Sequence, residues 1–467
     1  MADYGVYVTL VALMELTLAI SSLGFPWLTA RYMPDFRLNA GGDRTIHFIW
    51  KMFSLHSCAI IFAVIFLYFF HSYVADWLNL QNYSSAIAIF LFFILTEGIS
   101  RKIIVESLLA PLLKQGWGQL CIVFKQLTFL LLLIFHSSFY NLELIDIIKI
   151  ELLSSSLCLA LAFIGLVLHQ KELKSIKESA QWQAPSFSEM WSTARNMYTA
   201  HLVTLAYSPQ AILLIVQRYL GPESTALLGF LFNLLGQVTR YLPATLLFTL
   251  IAPKLVATHI NSSDIKPLNE NANMAGKLNY FALMPIIAIS YTSGDNLVSA
   301  LSGHQFESTG LFLFFLFLSL IPFSQRKLIE AVAVTLGQST LCVKAASIGV
   351  LILPLTFLLL ELQLGLWAPV ISLITGHLLF NIILIIGIGK MGYKPDINGP
   401  AKIAFSACIA AAITTLLPDI ELSWLNISLD VLVISLCFLT LAWLIRPFKE
   451  VERNKINRLI NRPIFIW

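Results

Sequence analysis

One long apolar segment carries a polar face that could bind phosphate. Arg240 lies about midway along the apolar run 226–253, and Asn233 and Gln237 precede it by one or two helical turns. In a helix these spacings place the three side chains on one face. Arg240 stays protonated and can hold a phosphate through two parallel N–H donors, so we predict that Arg240, Gln237 and Asn233 bind an anionic substrate. The alternative is a structural arginine that donates to carbonyls or pairs with a carboxylate on another helix.

Two further ionisable residues fall within apolar runs. A charged group in the centre of a bilayer is costly unless it is paired or hydrated, which makes each one a candidate site residue. Lys125 either binds the substrate or extends its ammonium to the cytoplasmic interface. Glu15 either takes up a coupling ion, a proton or sodium, or serves as the counter-charge of Arg240.

Two other polar groups belong to the same kind of segment. The sixth apolar run carries His201, Ser208, Pro209, Gln210 and Gln217. The proline should kink the helix or free a carbonyl, which is typical of a helix that lines a cavity. Near the inner end of the third run, Glu97, Arg101 and Lys102 either guard a cytoplasmic gate or form a charge cluster at the membrane interface.

Composition shows what surrounds these residues. Hydrophobic residues make up 58% of the 467 positions and charged residues only 12%, about half the charged share of a typical soluble domain. Because so few charges cannot cover a soluble protein of this size, lipid must be its main solvent. The basic residues recur in small groups along the chain rather than in one stripe, which argues against a nucleic-acid partner.

Thirteen apolar runs qualify as membrane-spanning helices, which need about 20 residues to cross the hydrocarbon core. They are 6–30, 46–70, 84–99, 117–135, 147–167, 197–220, 226–253, 278–297, 309–323, 346–362, 366–389, 403–417 and 431–445. The short third and ninth runs should continue as helix into the cytoplasm. All but four of the 30 Lys and Arg residues fall on one side of the alternating loops. The positive-inside rule therefore predicts an outside N-terminus, a cytoplasmic C-terminus and a multi-pass protein of the bacterial inner membrane.

The polar segment after the fifth run divides the chain. We predict an N-terminal lobe over 1–180, a C-terminal lobe over 181–400, and additional helices with a basic tail over 401–467. The tail should form a helix at the anionic inner leaflet. The first and seventh runs share a glycine near the outer end and a proline beside a basic residue at the inner end, as in transporters built from repeats.

Catalytic motifs find little support in this sequence. It has no glycine-rich phosphate loop, and no GxSxG, HExxH or paired-carboxylate site on a polar segment. The six cysteines lie singly within apolar runs, without a CxxC pair. We therefore expect neither an enzyme nor a bound metal or cofactor.

Three stretches resemble the polysaccharide exporters of the MOP flippase superfamily, the Wzx-type O-antigen flippases. They are DYGVYVTLVALMELTLAISSLGFPWLTARYMPDFR, QRYLGPESTALLGFLFNLLGQVTRYLPATLLFTLIAPKL, and GHQFESTGLFLFFLFLSLIPF with the later LGQSTLCVKAASIG. The resemblance implies an all-α polytopic fold of two lobes, similar to that of MATE and other MOP proteins. Members of this superfamily carry a further helix before the YG-x-Y motif, and its absence accounts for the odd number of spans. We interpret this as a lost helix or, preferably, as a start placed too late.

The resemblance also implies a function. The chain would move an undecaprenyl-pyrophosphate-linked oligosaccharide, such as an O-antigen unit for lipopolysaccharide, from the inner to the outer leaflet by alternating access. Its partners would be membrane lipids, a polysaccharide polymerase and a chain-length regulator. Two alternatives stay open. A multidrug or cation exporter of the same superfamily would have a more acidic cavity, and a membrane-embedded polysaccharide polymerase would need a larger exterior loop.

Overall fold

The described chain is entirely helical in its regular structure and forms two compact units. A computed structural model describes residues 1–174, 178, 182–243, 265–336, 338–418 and 423–460. Its contacts separate Met1–Ala226 from Leu227–Trp467. The predicted class, an all-α polytopic membrane protein, is confirmed.

Nine helices among the described residues are long and apolar enough to cross a membrane. They are Ala2–Ser21, Gly42–Trp77, Gln115–Ser137, Leu144–Leu173, Ser188–Tyr241, Gly310–Ala333, Thr340–Glu361, Trp367–Gly389 and Trp424–Ile445. The predicted spans 84–99, 278–297 and 403–417 also fall in helices, but these are not among the nine. Part of the predicted span 226–253 lies outside the described residues. The number thirteen therefore stays a prediction.

The first unit is built from helices α1 to α7 and the first part of α8. They are α1 (Ala2–Ser21), α2 (Phe25–Asn39), α3 (Gly42–Trp77), α4 (Ser84–Glu97), α5 (Gln115–Ser137), α6 (Leu144–Leu173), α7 (Phe187–Leu205) and α8 (Pro209–Tyr241). As expected of the third apolar run, α4 continues as helix, here in π form over Gly98–Leu109. Helix α6 packs along both α4 and α5, and α1 contacts α3, α4 and α6. These contacts bring the polar residues of four apolar helices together.

The first predicted span, 6–30, is wrong in its extent because α1 ends at Ser21. Gly24 then adopts a φ of +83°, a left-handed conformation that glycine reaches without strain. Pro26 stands in the first turn of α2, where its missing N–H removes no helical hydrogen bond. The sequence LGFP is thus a helix stop followed directly by a helix start.

The sixth predicted span, 197–220, is divided at its proline. Helix α7 ends at Leu205 and Pro209 begins α8, so the predicted kink is a complete break. Ser208 Oγ accepts a hydrogen bond from the Ala211 N–H at 3.3 Å, which satisfies a free donor of the new helix. A second break, at Gly221 with φ 81°, lies between the sixth and seventh predicted spans.

The boundary between the units follows Ala226, whereas the sequence predicts it near residue 180. The segment after α6 returns to α2: Trp182 Nε1 donates to Asp35 Oδ2 at 3.0 Å, and the indole packs edge-on against Phe36, with 5.1 Å between ring centroids. Helix α7 also packs on α2. These contacts hold the residues before α8 in the first unit.

The second unit contains the remainder of α8 and nine further helices among the described residues. They are α9 (Ile265–Thr292), α10 (Gly294–Leu301), α11 (Gly310–Thr335), α12 (Ser339–Gly349), α13 (Ile352–Glu361), α14 (Trp367–Gly389), α15 (Asn398–Thr414), α16 (Ser423–Ile445) and α17 (Glu450–Ile460). Helix α9 packs against α11, α15 and α16. The segment predicted as a third part, 401–467, therefore packs within the second unit wherever it is described. Its tail does so through Phe448 and Ile456, which are buried against Met274 of α9.

Candidate functional site

A buried carboxylate forms the centre of a charge network in the first unit. Glu97, at the end of α4, is only 3% exposed. It accepts hydrogen bonds from Arg101 Nε at 2.7 Å, Lys125 Nζ at 2.8 Å and Ser155 Oγ at 2.9 Å. A buried carboxylate is tolerable only when its charge and lone pairs are satisfied in this way. Glu97 therefore joins α4, α5 and α6 through polar contacts.

The network extends to α1 through Arg101. The guanidinium donates through Nη2 to Glu15 and lies 3.3 Å from Glu106 through Nη1. Lys102 reaches the same two carboxylates, with Nζ 3.7 Å from Glu15 and 3.2 Å from Glu106. Glu15 thus pairs with Arg101 and Lys102 within its own unit.

On its other side the network reaches α6. Lys125 Nζ, besides its contact with Glu97, lies 3.4 Å from Glu151 Oε2. The Tyr7 hydroxyl donates to Glu151 Oε1 at 2.9 Å. Lys125 is 12% exposed, so the ammonium faces carboxylates within the helix packing instead of extending to an interface.

Local helix geometry brings these side chains together. In the π segment Gly98–Leu109 the hydrogen bonds reach five residues back, which widens the helix and changes the angle between successive side chains. At Gly98 an added Cβ would lie 2.6 Å from Leu18 Cδ2 of α1, so a larger residue there would have to displace that side chain. The close approach brings Glu15 within reach of Arg101.

A cavity of about 400 Å³ adjoins this network within the first unit. Its lining includes Glu15, Lys102 and Glu106 from the network, and Trp27, His56, His201, Ser208 and Gln210 from α2, α3, α7, α8 and the turn before α8. Trp27 and His201 are in ring contact, with 4.9 Å between their centroids. His201, Ser208 and Gln210, predicted around Pro209, therefore do line a cavity, whereas Gln217 is fully buried and bonded to Thr9 and to the Leu78 carbonyl.

The predicted substrate residues of the seventh run lie elsewhere. Helix α8 is continuous from Asn233 through Gln237 to Arg240, so the three share one face, and all three side chains are exposed. They belong to the second unit, whereas Lys125 and Glu15 are joined in the first unit through Glu97 and Arg101. Whether Arg240, Gln237, Asn233 or Lys125 binds substrate stays a prediction.

Sequence reasoning missed several members of the site. Glu151 stands inside an apolar run and could have been noticed, since an intramembrane acid is as rare as an intramembrane base. His56 stands inside the run 46–70 and gave the same signal, whereas Glu106, outside every predicted span, becomes a site residue only through helix packing. Among the described residues, no group of three or more His, Cys, Asp or Glu side chains could hold a metal ion.

A second buried group of paired charges lies in the second unit. Lys277 of α9 is 1% exposed, and its Nζ lies 2.6 Å from Asp396 and 2.8 Å from both carboxylate oxygens of Glu452 in α17. Burial alone would raise the pKa of Asp396, but the Lys277 ammonium and the Gly399 N–H hold that pKa below its ordinary value. The cluster ties the tail helix to α9.

Comparison with known proteins gives a likeness in fold. No protein-family profile and no curated protein matches the sequence. The solved structure of the lipid II flippase MurJ, in an inward closed conformation, aligns with 98% of this chain and 94% of its own, with a TM-score of 0.68 and 16% identity. The chain has the fold of MurJ. A Vibrio cholerae MATE transporter aligns with 83% of this chain and 86% of its own, with a TM-score of 0.47 and 13% identity.

The likeness to MurJ tests the predicted fold but not the predicted substrate. The predicted all-α, MOP-like fold is confirmed at the level of fold. MurJ is described as a flippase and not as an enzyme. The Wzx-type assignment and its oligosaccharide substrate stay predictions, since an identity of 16% shows fold alone.

Proposed function

We propose that this chain is a flippase that moves an undecaprenyl-pyrophosphate-linked oligosaccharide, a unit of O-antigen or another surface polysaccharide, from the inner to the outer leaflet of the bacterial inner membrane. The observation that carries the proposal is the similarity of fold to a lipid II flippase over 98% of the chain. Two compact units provide the two bodies that alternating access requires. A polymerase and a chain-length regulator are the proposed partners.

The charge network of the first unit supports a polar substrate. Glu15, Glu97, Arg101, Lys125 and Glu151 all stand in or next to helices that are otherwise apolar. Intramembrane ionisable groups are costly and typically mark a substrate or ion pathway. A flippase needs such a pathway, because the charged and hydroxylated head of the lipid must cross the hydrocarbon core.

One observation favours a second candidate, a multidrug or cation exporter. The cavity of the first unit is lined by two carboxylates, Glu15 and Glu106, and by one cation, Lys102. An acidic excess of this kind suits a cationic substrate better than a phosphate. The exporter therefore stays the alternative that an experiment must separate from the flippase.

The decisive experiment compares cells with and without the chain. If it is a flippase, its deletion leaves lipid-linked oligosaccharide at the inner leaflet and lowers surface polysaccharide, and purified protein in proteoliposomes moves that lipid. If it is an exporter, surface polysaccharide is unchanged and cells become sensitive to cationic dyes. This second result contradicts the flippase.

The proposed phosphate-binding role of Arg240 has its own test. Charge-assisted hydrogen bonds contribute about 1.5–3 kcal/mol, so Arg240→Ala should slow flipping about tenfold or more. Lys390→Ala, which removes an exposed cation elsewhere in the second unit, is the control. Undiminished flipping by Arg240→Ala would exclude Arg240 from the substrate site.

A further inference from the structure

The positive charges at the first-unit cavity are already paired with carboxylates. Lys102 is paired with Glu15 and Glu106, and Arg101 behind them is paired with the same carboxylates and with Glu97. A pyrophosphate needs cationic donors whose charge is not already taken up. The cavity therefore has polar character without spare positive charge, and this makes it a poor phosphate site.

Uncharged polar groups lie in the same wall, and one of them is unused. His56 is 1% exposed, and its Nε2 has no hydrogen-bond partner among the described residues. Gln210 also lines this wall, with its amide side chain partly exposed to the cavity. Buried polar groups in proteins are nearly always hydrogen-bonded, so unused groups around a cavity indicate a ligand or water that completes them.

An aromatic ring completes the wall. Trp27 lines the cavity, and His201 holds the indole in a tilted contact at 4.9 Å. The electron-rich face of an indole attracts partially positive C–H groups. A pyranose ring presents such C–H groups on its faces and hydroxyl groups around its rim. Sugar rings therefore match the combination of an indole, an amide and an imidazole.

We propose that the cavity formed by Trp27, His56, His201 and Gln210 binds one or two sugar rings of the transported glycan. The proposal rests on the proposed flippase function and assigns glycan recognition to the first unit. The volume of about 400 Å³ agrees with a ligand of this size, since small-molecule sites typically measure about 300–1,000 Å³. The pyrophosphate binds outside this cavity.

Binding measurements on the purified full chain in nanodiscs test the proposal. Three probes are compared: the undecaprenyl-pyrophosphate-linked oligosaccharide extracted from the source strain, undecaprenyl pyrophosphate without sugar, and the free oligosaccharide released by hydrolysis. Trp27→Ala and Gln210→Ala are the test variants. Gln210→Ala removes only a partly exposed amide at the cavity wall, so this variant should fold even if Trp27→Ala does not.

The expected result separates glycan from lipid. Trp27→Ala and Gln210→Ala should weaken binding of the glycan-bearing lipid about tenfold, one decade in Kd, and leave binding of undecaprenyl pyrophosphate unchanged. The matched controls, Trp443→Ala on the exposed face of α16 and Gln81→Ala in a surface turn, should change neither. An equal loss for both lipids, or no loss for the glycan-bearing lipid, overturns the proposal.

The same probes distinguish this proposal from the function on which it rests. If the protein flips the glycan-bearing lipid and the two variants bind and flip it normally, the flippase stands and the sugar site is overturned. If the protein flips no lipid but binds the free oligosaccharide through Trp27 and Gln210, the sugar site stands and the flippase fails.

Discussion

At the scale of single residues, the site joins neighbours along one helix to partners that are distant in sequence. Glu15 and Arg101 are 86 residues apart, and Lys125 and Glu97 are 28 apart. The sequence marked Glu15, Lys125 and Arg240 because each interrupts an apolar run. It could not pair them, since a side chain on a helix meets a partner only after the helices pack.

Glu97 should be more important for stability than its neighbour Glu106. Glu97→Gln removes the most buried carboxylate of the network, the one that Lys125 and Arg101 share; losing one partner of a buried pair costs about 3–5 kcal/mol. Glu106, with its side chain 44% exposed, should lose less than about 1 kcal/mol on replacement by Gln, as surface ion pairs do. Thermal unfolding in detergent measures both variants. Equal shifts in Tm for the two variants would contradict the prediction that Glu97 stabilises the first unit more than Glu106 does.

Lys277 offers a second test at this scale. Lys277→Met leaves Asp396 and Glu452 facing each other without the ammonium between them, and should destabilise the second unit by about 3 kcal/mol. The control Lys390→Met removes an exposed lysine and should leave Tm unchanged. Adding Glu452→Gln to Lys277→Met should recover part of the loss, and a further drop would show that the repulsion is not the cause.

At the scale of elements, hydrophobic periodicity predicted that helices exist but not where they break. The run 6–30 reads as one span because its apolar content is continuous through Leu23 and Phe25. The helix nevertheless ends before Gly24, because Gly24 adopts a left-handed backbone conformation. Pro209 likewise separates α7 from α8 within an apolar run. Both helix breaks are indicated in the sequence by Gly-Phe-Pro and by Ser-Pro, but a hydropathy average over the segment does not detect them.

The turn at Gly24 can be tested by substitution. Gly24→Ala combines a φ of +83° with a Cβ only 2.7 Å from the Ala194 carbonyl oxygen, so it should displace α7 from α2 and lower stability by about 2 kcal/mol or more. Gly116→Ala, in the first turns of α5 with open space around it, should be neutral or stabilising. Unfolding in detergent and protease sensitivity after α6 report the difference, and an unaffected Gly24→Ala would refute the close contact.

At the scale of the whole molecule, composition was enough for the class, and the contacts of the structure divide the chain at a different residue from the predicted 180. The basic segment after α6 resembles an interdomain linker in charge and length. Trp182, however, binds Asp35 and Phe36 of α2, a contact specified by two side chains that no periodicity reveals.

The predicted orientation of the whole chain is directly testable. In a background whose six cysteines are replaced by serine, Glu307→Cys, in the loop between α10 and α11, should react with a membrane-impermeant maleimide in intact cells. Met391→Cys, in the loop after α14, should react only after permeabilisation. The reverse pattern would invert the topology, and labelling of both from outside would contradict the positive-inside assignment.

The position of Lys277 in the sequence also determines when its ion pairs can form during synthesis. Lys277 is synthesised 175 residues before Glu452, which at about 5–20 residues per second amounts to roughly 10–35 s on the ribosome. Throughout that interval α9 is inserted while its ammonium lacks one of the two carboxylates that will enclose it. The second unit therefore acquires its finished form only when its last helix has been made. A chain stalled or cleaved just before α17 presents quality-control proteases with a buried lysine that has Asp396 but lacks Glu452.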